Sequence, residues 1–362
     1  MKLETTAGQL RAALTCVNGI IGRYTLPILG CIRFEGGRIV ATDLDREVSV
    51  SLPCVGETQG SGVIDYRGLA SLARHIERDE MVQISESAGE AAVTFNGSYY
   101  GMASLPVADF PAFDYPVGPR TMAGNLGLAE ALRRVAFCIS TEETRYYLNG
   151  IALLEGPAGP VVAATNGHRL AVMPLPSMPE NASGRIIPRE TVSWLLARKA
   201  EPTAVTFSEG EQLRSLFEFP GCTIASKLID GTFPDIFRVM PRDPKPVFSV
   251  DRMEALRVLR RLHAFGVASG TALEAVKLEG GASLSLSRSR NAAQAKEKVS
   301  WHGEAPEKPF EVGFNASYLI DILSRLTGDV VTFAADGEMV GQPCLITSEN
   351  DALRVVLMPM RV

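Results

Sequence analysis

The feature of this sequence that most constrains its fold is an internal repeat with an offset of 123 residues. ATDLDREVSVSLP is followed 123 residues later by ATNGHRLAVMPLP, which aligns Thr42 with Thr165. The same offset aligns Phe110 of DFPAF with Phe233 of TFPDI, and helix-like YRGLASLARHI with RETVSWLLARK. Three separate anchors at one spacing indicate that a domain is duplicated within the chain.

Adding the offset once more leads to Arg288 in LSLSRSR and to Val356 in VVLMPMRV, where similar strand patterns lie. Three repeats of this length nearly account for the 362 residues. We therefore expect three copies of one domain, the third the most diverged, with linkers near 114–124 and 240–250, where Pro and Gly cluster. The expected domains are 1–118, 122–243 and 245–362.

Each copy is expected to combine two helices with several short strands. Between the helices, segments such as RIVATDLDREVSVSLP alternate in a strand-like way around Gly, Asn and Asp turns. The predicted fold class is α+β, with two helices laid on antiparallel sheet in each domain. Apolar residues recur at helical spacing in six stretches: GQLRAALTCVNG, YRGLASLARHIER, LAEALRRVAFCI, PRETVSWLLARK, DRMEALRVLRRLH and NASYLIDILSRL.

Charge is divided unevenly between these six stretches and the rest of the chain. The helical stretches contain 14 Arg or Lys and 6 Asp or Glu, a balance of +8, whereas the whole chain carries a formal net charge of -5. The remainder therefore carries -13. Cationic helices on an acidic protein predict one surface that attracts nucleic-acid phosphates. The candidate phosphate-binding residues are Arg67, Arg74 and Arg78, predicted to share one helical stripe, then Arg198 and Lys199, and Arg257, Arg260 and Arg261.

Composition and motifs argue against several other classes of protein. No stretch reaches the roughly 18 apolar residues of a membrane span, and the start MKLETTAGQL has no apolar signal region, so a cytoplasmic protein without a membrane partner is expected. The six cysteines show no CxxC spacing, which argues against a zinc site or a disulfide framework. No phosphate-binding loop or hydrolase motif is present, and neither a cofactor nor a metal is expected.

One enzymatic interpretation stays open. His168, on the turn of ATNGHRLAV, would serve as a general base with Asp43 or Asp45 as its partner. The repeat places those carboxylates at the equivalent point of a different copy, so nothing in the sequence predicts that they reach His168. Turnover lost in His168→Ala would support this alternative.

Six motifs spread in order over nearly the whole chain are specific enough to indicate a family. They are GRYTLPILG (22–30), TRYYLNG (144–150), ATNGHRLAV (164–172), LIDGTFPDIFRVMP (228–241), FNASYLIDIL (314–323) and the terminal VLMPMRV (356–362). Together they resemble the bacterial DNA polymerase III beta subunit, the sliding clamp. The family usually has Asp where this chain has Asn166, a difference that should matter little at a turn.

This resemblance implies an architecture and a function. Family clamps have three copies of one α+β domain, pair head to tail into a closed dimeric ring, and line its hole with helices. Such a ring encircles duplex DNA without reading its sequence, has no catalytic activity, and tethers the replicative polymerase. The replicative polymerase, the clamp loader and repair proteins all bind one hydrophobic groove on the clamp through short linear peptides.

Carried over by motif, the resemblance also implies residues for the DNA surface and the groove. Additional DNA contacts would come from Arg23, Tyr146 and Tyr147. We expect the subunit interface to join an edge strand around Tyr100 and Met102 to Val267 and Ala268 of the other copy. The groove residues would be Leu148, Thr165, Gly167, His168, Arg169, Leu170, Pro234, Arg238, Val239, Val356, Met358, Pro359, Met360 and Arg361.

A second interpretation within the same family is a specialised or second-copy clamp paralogue. Such a protein would bind partner peptides without serving as the main replication clamp. A loading assay on primed circular DNA distinguishes the two.

Overall fold

The computed structural model describes residues 1–22, 26–87, 89–268, 275–280, 284–290, 293–300, 302, 310–337, 339 and 341–360. Arg23 and Arg361 lie outside these residues, as do the side chains of Val267 and Ala268.

Six α-helices form within the described residues, one for each predicted stretch. Four of them begin after a side chain that caps the first turn: Thr6, Asp65, Asp251 and Asn315 each accept a hydrogen bond from the main-chain amide three residues on. The helices are α1 (Ala7–Val17), α2 (Tyr66–Ala73), α3 (Leu128–Val135), α4 (Arg189–Ala197), α5 (Arg252–Ala268) and α6 (Ala316–Arg325).

The described strands and helices follow one order three times: strand, helix, four strands, helix, three strands. The α+β class is therefore confirmed, and the order supports three copies, whose bounds stay a prediction. The strands are β1 (Lys2–Thr6), β2 (Cys31–Glu35), β3 (Arg38–Thr42), β4 (Arg46–Ser51), β5 (Ser61–Asp65), β6 (Met81–Ser87), β7 (Glu90–Phe95), β8 (Ser98–Leu105), β9 (Arg120–Met122), β10 (Gly150–Gly156), β11 (Gly159–Thr165), β12 (Arg169–Pro174), β13 (Ile186–Pro188), β14 (Ala204–Phe207), β15 (Arg214–Phe219), β16 (Cys222–Lys227), β17 (Lys245–Asp251), β18 (Ala275–Gly280), β19 (Leu284–Arg290), β20 (Ala293–Val299), β21 (Phe310–Asn315), β22 (Val330–Ala335), β23 (Cys344–Ser348) and β24 (Arg354–Leu357).

The first of two compact units comprises residues 1–125, 179–182 and 193–228. Its strands form one sheet in the order β1-β6-β7-β8-β5-β2-β3-β4-β16-β15-β14-β9. The antiparallel pair of β4 and β16, with Val50 opposite Cys222, joins strands of the first predicted domain to strands of the second. Helix α1 packs on β3, β4 and α2, and the fully buried Phe34, Phe207 and Phe217 belong to the core of the unit.

The second compact unit comprises residues 126–178, 183–192 and 229–362. It contains an eight-stranded sheet, β13-β10-β11-β12-β24-β23-β22-β17, and a four-stranded sheet, β20-β19-β18-β21. The antiparallel pair of β12 and β24 sets Leu170 opposite Val356. This pair brings the end of the chain beside the middle of the sequence.

The repeat offset holds at the start of the third copy and fails at its end. Arg288 lies in β19, the equivalent of β3 and β11, which end at Thr42 and Thr165. Val356 lies within β24, whereas Phe110 and Phe233 follow the last strand of their copies. The third copy therefore changes in length between β19 and β24, since the offset still holds at Arg288 and no longer holds at Val356.

Asp351 joins α3 to the last part of the chain within the second unit. Its side chain is 1% exposed and accepts hydrogen bonds from Arg134 Nη2 at 2.7 and 2.6 Å, from the Thr327 amide and hydroxyl, and from the Leu353 amide. Burial opposes ionisation, but these hydrogen bonds outweigh it and hold the pKa of Asp351 below its usual value.

Replacing Asp351 by Asn is expected to lower the free energy of unfolding by about 3 kcal/mol, because Arg134, whose side chain is only 13% exposed, loses its carboxylate partner. Glu130→Gln is the matched control, since it breaks an exposed ion pair with Arg133 on the same helix and should cost about 0.5 kcal/mol. Because the pKa of Asp351 is lowered on folding, its contribution is present above the unfolded pKa and is lost as pH falls through the folded pKa. Urea unfolding at neutral and acid pH measures both effects, and equal losses in the two variants would contradict this role.

Among the described residues, no helix is both long enough and apolar enough to span a lipid bilayer.

Candidate functional site

The turn between β11 and β12 takes its shape from its own side chains. Thr165 Oγ1 accepts from the Gly167 amide at 3.1 Å and donates to the Arg169 carbonyl at 2.8 Å. Asn166 Oδ1 accepts from the amides of His168 and Arg169 at 3.0 and 3.1 Å. Gly167 has a φ of 87°, a conformation that favours glycine. The turn therefore holds the His168 side chain at a fixed place between two strands.

The equivalent turn between β3 and β4 is built in the same way. Thr42 Oγ1 and Asp43 Oδ1 make the same set of main-chain hydrogen bonds as Thr165 and Asn166, at 2.6 to 3.1 Å. The two aligned sequences thus share a local geometry. Asn166 differs by donating from Nδ2 to the Tyr318 hydroxyl at 3.2 Å.

Strand pairing brings distant residues to the turn. Because β12 pairs with β24, the Met358 amide donates to the His168 carbonyl at 2.9 Å. A short 3₁₀ helix, Glu143–Leu148, and a second one, Ile236–Arg238, complete the surroundings. Three separate parts of the second unit therefore meet at one surface.

These parts enclose an open cavity of about 270 Å³. Its floor is the apolar cluster that contains Leu148, Leu170 and Val356, while Val239 and Met358 are 47% and 38% exposed at its wall. Apolar side chains of a bound molecule could be buried here. The lining residues are Arg145, Tyr147, Leu148, Thr165, Gly167, His168, Arg169, Leu170, Pro234, Asp235, Ile236, Val239, Val356 and Met358.

Arg169 fixes one wall of the cavity. Its guanidinium lies 4.3 Å from the ring centroid of Tyr318 and 5.1 Å from that of Phe137, donates to the Phe137 carbonyl, and pairs with Asp321 at 2.7 Å. The His168 ring stacks on Tyr318 with centroids 6.4 Å apart. A side chain held by so many partners presents a rigid edge to a ligand.

The structure places most of the predicted groove residues together. Ten of the fourteen line the cavity: Leu148, Thr165, Gly167, His168, Arg169, Leu170, Pro234, Val239, Val356 and Met358. Arg238 is outside the lining, 83% exposed and paired with the lining residue Asp235 at 3.5 Å. Pro359 and Met360 are outside the lining, and the Met360 amide bonds instead to the Gly313 carbonyl at 2.8 Å. Arg361 lies outside the described residues.

Four lining residues were missed as groove members: Arg145, Tyr147, Asp235 and Ile236. Tyr147 was predicted to contact DNA, and the structure places it in the cavity lining, packed against the apolar cluster. Its neighbour Tyr146 is 55% exposed. Adjacent residues of this 3₁₀ helix face different ways, and nothing in the sequence TRYYL distinguishes the two tyrosines.

The predicted stripe of Arg67, Arg74 and Arg78 on one helix is wrong in part, because α2 ends at Ala73. Arg74 is the C-cap, and Arg78 lies in the turn beyond it, where its carbonyl accepts from the Gly8 amide at 2.8 Å. All three arginines are exposed.

A polar cleft of about 290 Å³ lies between α1 and α2 in the first unit. It is bordered by Arg74 and by Arg11, which the sequence prediction did not include. Arg67 donates to the Gly22 carbonyl at 3.1 Å near the start of α2. Two helices of this unit therefore present arginines on a shared face.

Helix α5 presents its three predicted arginines in different settings. Arg257, Arg260 and Arg261 are all exposed. Arg260 reaches Ser324 Oγ of α6 at 3.5 Å, whereas Arg261 forms a bidentate ion pair with Glu297 of β20. The charge of Arg261 is thus offset by a carboxylate.

Not all of the helical charge counted in the sequence is available to a ligand. Arg134 is half-buried and paired with Asp351, and Arg252 donates to the carbonyls of Gly328 and Leu323. These two arginines stabilise the fold.

Past the end of α4, Arg198 and Lys199 differ in exposure. Lys199 is exposed, with a φ of 53°. Arg198 is half-buried, its guanidinium 4.6 Å from the ring centroid of Trp194. Arg23 lies outside the described residues.

The predicted interface strand is β8, and among the described strands part of it is paired on one side only. It pairs with β7 along Ser98–Ala103 but with β5 only at Ser104 and Leu105. Tyr100 is 45% exposed and stacks on Phe95, Met102 is half-buried, and the neighbouring Tyr99 is 67% exposed. The sequence prediction did not name Tyr99.

The described residues give the enzymatic alternative no support. Asp43 pairs with Arg46 at 2.5 Å and Asp45 with Lys227 at 2.9 Å. His168 stacks on Tyr318 at the cavity wall. Each proposed member of the site has other partners.

Comparisons with known proteins identify the family. Residues 125–235 match the family model of the DNA polymerase III beta subunit, central domain, and residues 237–361 match that of its C-terminal domain. The beta sliding clamp of Caulobacter vibrioides (strain NA1000 / CB15N) is 32% identical, with 100% of both chains covered.

Two solved structures agree with this result over 100% of both chains. The DNA polymerase sliding clamp from Caulobacter crescentus has a TM-score of 0.88 at 31% identity. The DnaN sliding clamp from Bartonella birtlesii, bound to griselimycin, has a TM-score of 0.88 at 29% identity. The chain therefore belongs to the DNA polymerase III beta subunit family and functions as a DNA sliding clamp, a non-catalytic processivity factor.

Proposed function

We propose that this chain pairs head to tail into a ring around duplex DNA in the cytoplasm, and that its cavity binds short apolar peptides. The partners are the replicative polymerase, the clamp loader and repair proteins. Each subunit contributes three domains, 1–118, 122–243 and 245–362.

One observation carries the peptide-binding proposal: the apolar cavity of about 270 Å³ formed where β12, β24 and two 3₁₀ helices meet. A single apolar side chain such as Leu fits a space of this kind, and the rigid turn at His168 beside the flexible Met358 suits partners of varied sequence. The griselimycin-bound relative supports a ligand-binding surface in this family.

The helix arginines support a surface that binds DNA independently of its sequence. Arg11 and Arg74 border one cleft, and Arg257 and Arg260 are exposed on α5. Arginines on helices reach phosphates without entering a groove, so they would hold DNA weakly and leave it free to slide.

Ring closure is supported by free strand edges in both compact units. The Ser98–Ala103 part of β8 lacks a partner on one side among the described strands, and β20 ends the four-stranded sheet. Edges on different units favour a contact between unlike surfaces, which closes into a ring when the rotation permits. Val267 and Ala268, at the end of α5, stay predicted members of this interface.

Removing phosphate contacts should flatten the salt dependence of DNA binding. Replacing Arg11 and Arg74 by Ser is expected to reduce the slope of log affinity against log salt by about two, equally for different DNA sequences. Arg354→Ser is the control, because Arg354 is an exposed arginine on a strand. The salt slope of DNA binding should be the same in this variant as in the wild-type protein. Titration of duplex DNA at several salt concentrations measures this, and an unaltered slope in the double variant would place the cleft away from DNA.

The paralogue alternative gains no support from the comparisons above, in which the relatives are described simply as sliding clamps. Processive synthesis with the cognate loader on primed circular DNA tests the distinction.

A further inference from the structure

A pair of thiols in the first unit has no part in the clamp function described above. Cys16 lies in the last turn of α1 and is half-buried, and Cys222 is the first residue of β16 and is buried. The two thiols shift each other's pKa, and Phe219, the residue opposite Cys222 in the β15–β16 pair, packs on Trp194 beside Cys16. All six cysteines of the chain are free thiols.

The residues around Cys16 stabilise a negatively charged sulfur. Arg198 Nη1 donates to Cys16 Sγ, and the guanidinium lies 4.6 Å from the ring centroid of Trp194. Trp194 Nε1 donates in turn to the Cys16 carbonyl at 3.1 Å and packs edge-on against Phe219 at 6.0 Å. The indole therefore holds the cation against the sulfur.

The electrostatics separate the two thiols. The hydrogen bond with Cys222 and the charge and hydrogen bond of Arg198 outweigh burial and lower the pKa of Cys16 to about 6. The hydrogen bond to Cys16, burial and the neighbouring thiolate raise the pKa of Cys222, although Arg198 and Arg38 of β3 act against this. The carboxyl end of α1 disfavours an anion, so Cys222 and the cation of Arg198 together favour the charged form of Cys16.

We propose that Cys16 is a modification site, a thiolate that peroxides oxidise and that Cys222 then resolves to a disulfide. The Cys16 sulfur attacks one peroxide oxygen, the O–O bond breaks, and hydroxide leaves, or alkoxide in the case of an alkyl hydroperoxide, which gives a sulfenic acid after two-electron oxidation of the sulfur. The Cys222 sulfur, on losing its proton, attacks the Cys16 sulfur, and the S–O bond breaks with loss of water. The oxidant is hydrogen peroxide or an alkyl hydroperoxide.

This chemistry also changes the charge at Arg198. In the reduced protein the guanidinium faces a thiolate, and in the disulfide it faces a neutral group. Arg198 is therefore a positioning residue for the thiolate. This role does not depend on DNA binding, for which Arg198 was predicted from the sequence.

The first test is the pH dependence of alkylation in the full chain. Iodoacetamide labelling of Cys16, read by peptide mass spectrometry, should be half-maximal near pH 6, and Arg198→Met should raise that midpoint by about one to three pH units. Cys54 is the internal control, because it is also half-buried and burial raises its pKa, so its labelling should keep rising through alkaline pH. The same pH profile for Cys16 and Cys54 would overturn the proposal.

The second test uses stoichiometric hydrogen peroxide on the wild-type protein. A cross-linked peptide containing Cys16 and Cys222 that disappears with dithiothreitol is the expected product. In Cys222→Ser, dimedone should instead trap a sulfenic acid at Cys16. A wild-type protein that forms no such cross-link, while Cys54 is oxidised at an equal rate, would contradict the proposal without reliance on any variant.

Discussion

Met102→Glu is expected to convert the dimeric ring into monomers. Met102 lies on the part of β8 that has a free edge, beside the exposed Tyr99 and Tyr100, and a carboxylate there would lose its water when a second copy docks. We expect the dimer dissociation constant to rise by at least about 100-fold, on the order of 3 kcal/mol, because the charge would be buried without a partner.

Met81→Glu is the matched control for this prediction. Met81 begins β6 in the same sheet and is 37% exposed, but it lies on a strand that is paired on both sides by β1 and β7. Sedimentation over a range of concentrations should show dimers for this variant and monomers for Met102→Glu. A dimer that survives Met102→Glu at low concentration would place the interface elsewhere.

Met358→Asp and Val239→Asp are expected to abolish binding of partner peptides. Both side chains are partly exposed at the cavity wall, so the fold should tolerate the change. A bound Leu or Phe loses the apolar contact, worth about 1.5 to 3 kcal/mol, and meets an unpaired charge as well. Together these effects predict a loss of affinity of at least about 100-fold.

Met253→Asp is the matched control, because Met253 is 44% exposed on α5 and takes no part in the cavity lining. Fluorescence anisotropy with a labelled peptide from the cognate polymerase measures all three variants. Equal affinity in Met358→Asp and Met253→Asp would remove the cavity from the peptide-binding proposal.

Local patterns in the sequence predicted local structure well. The six helices occur where apolar spacing indicated them, and the alignment of Thr42 with Thr165 corresponds to two turns with the same hydrogen bonds. The extent of α2 was overestimated because Ile76, buried in the turn after the helix, continues the apolar spacing past Ala73. Periodicity does not mark where a helix ends when the following turn is also packed.

The site depends on contacts that no local pattern contains. Leu148 and Val356 meet because β12 pairs with β24, and this convergence came only from the resemblance to a family. Charge counting likewise could not distinguish the exposed Arg74 from the half-buried Arg134, which is paired with Asp351. Contacts between residues far apart in sequence determine which side chains are exposed to a ligand.

The central claim is that this protein holds DNA by encircling it, and retention on circular against linear DNA tests it most directly. Clamps loaded by the cognate loader on a nicked circle should stay bound through gel filtration in high salt, where individual phosphate contacts are weak. Cutting the circle once should release them, because a ring slides off a free end. Equal retention before and after the cut, or release from the intact circle in high salt, would contradict topological binding.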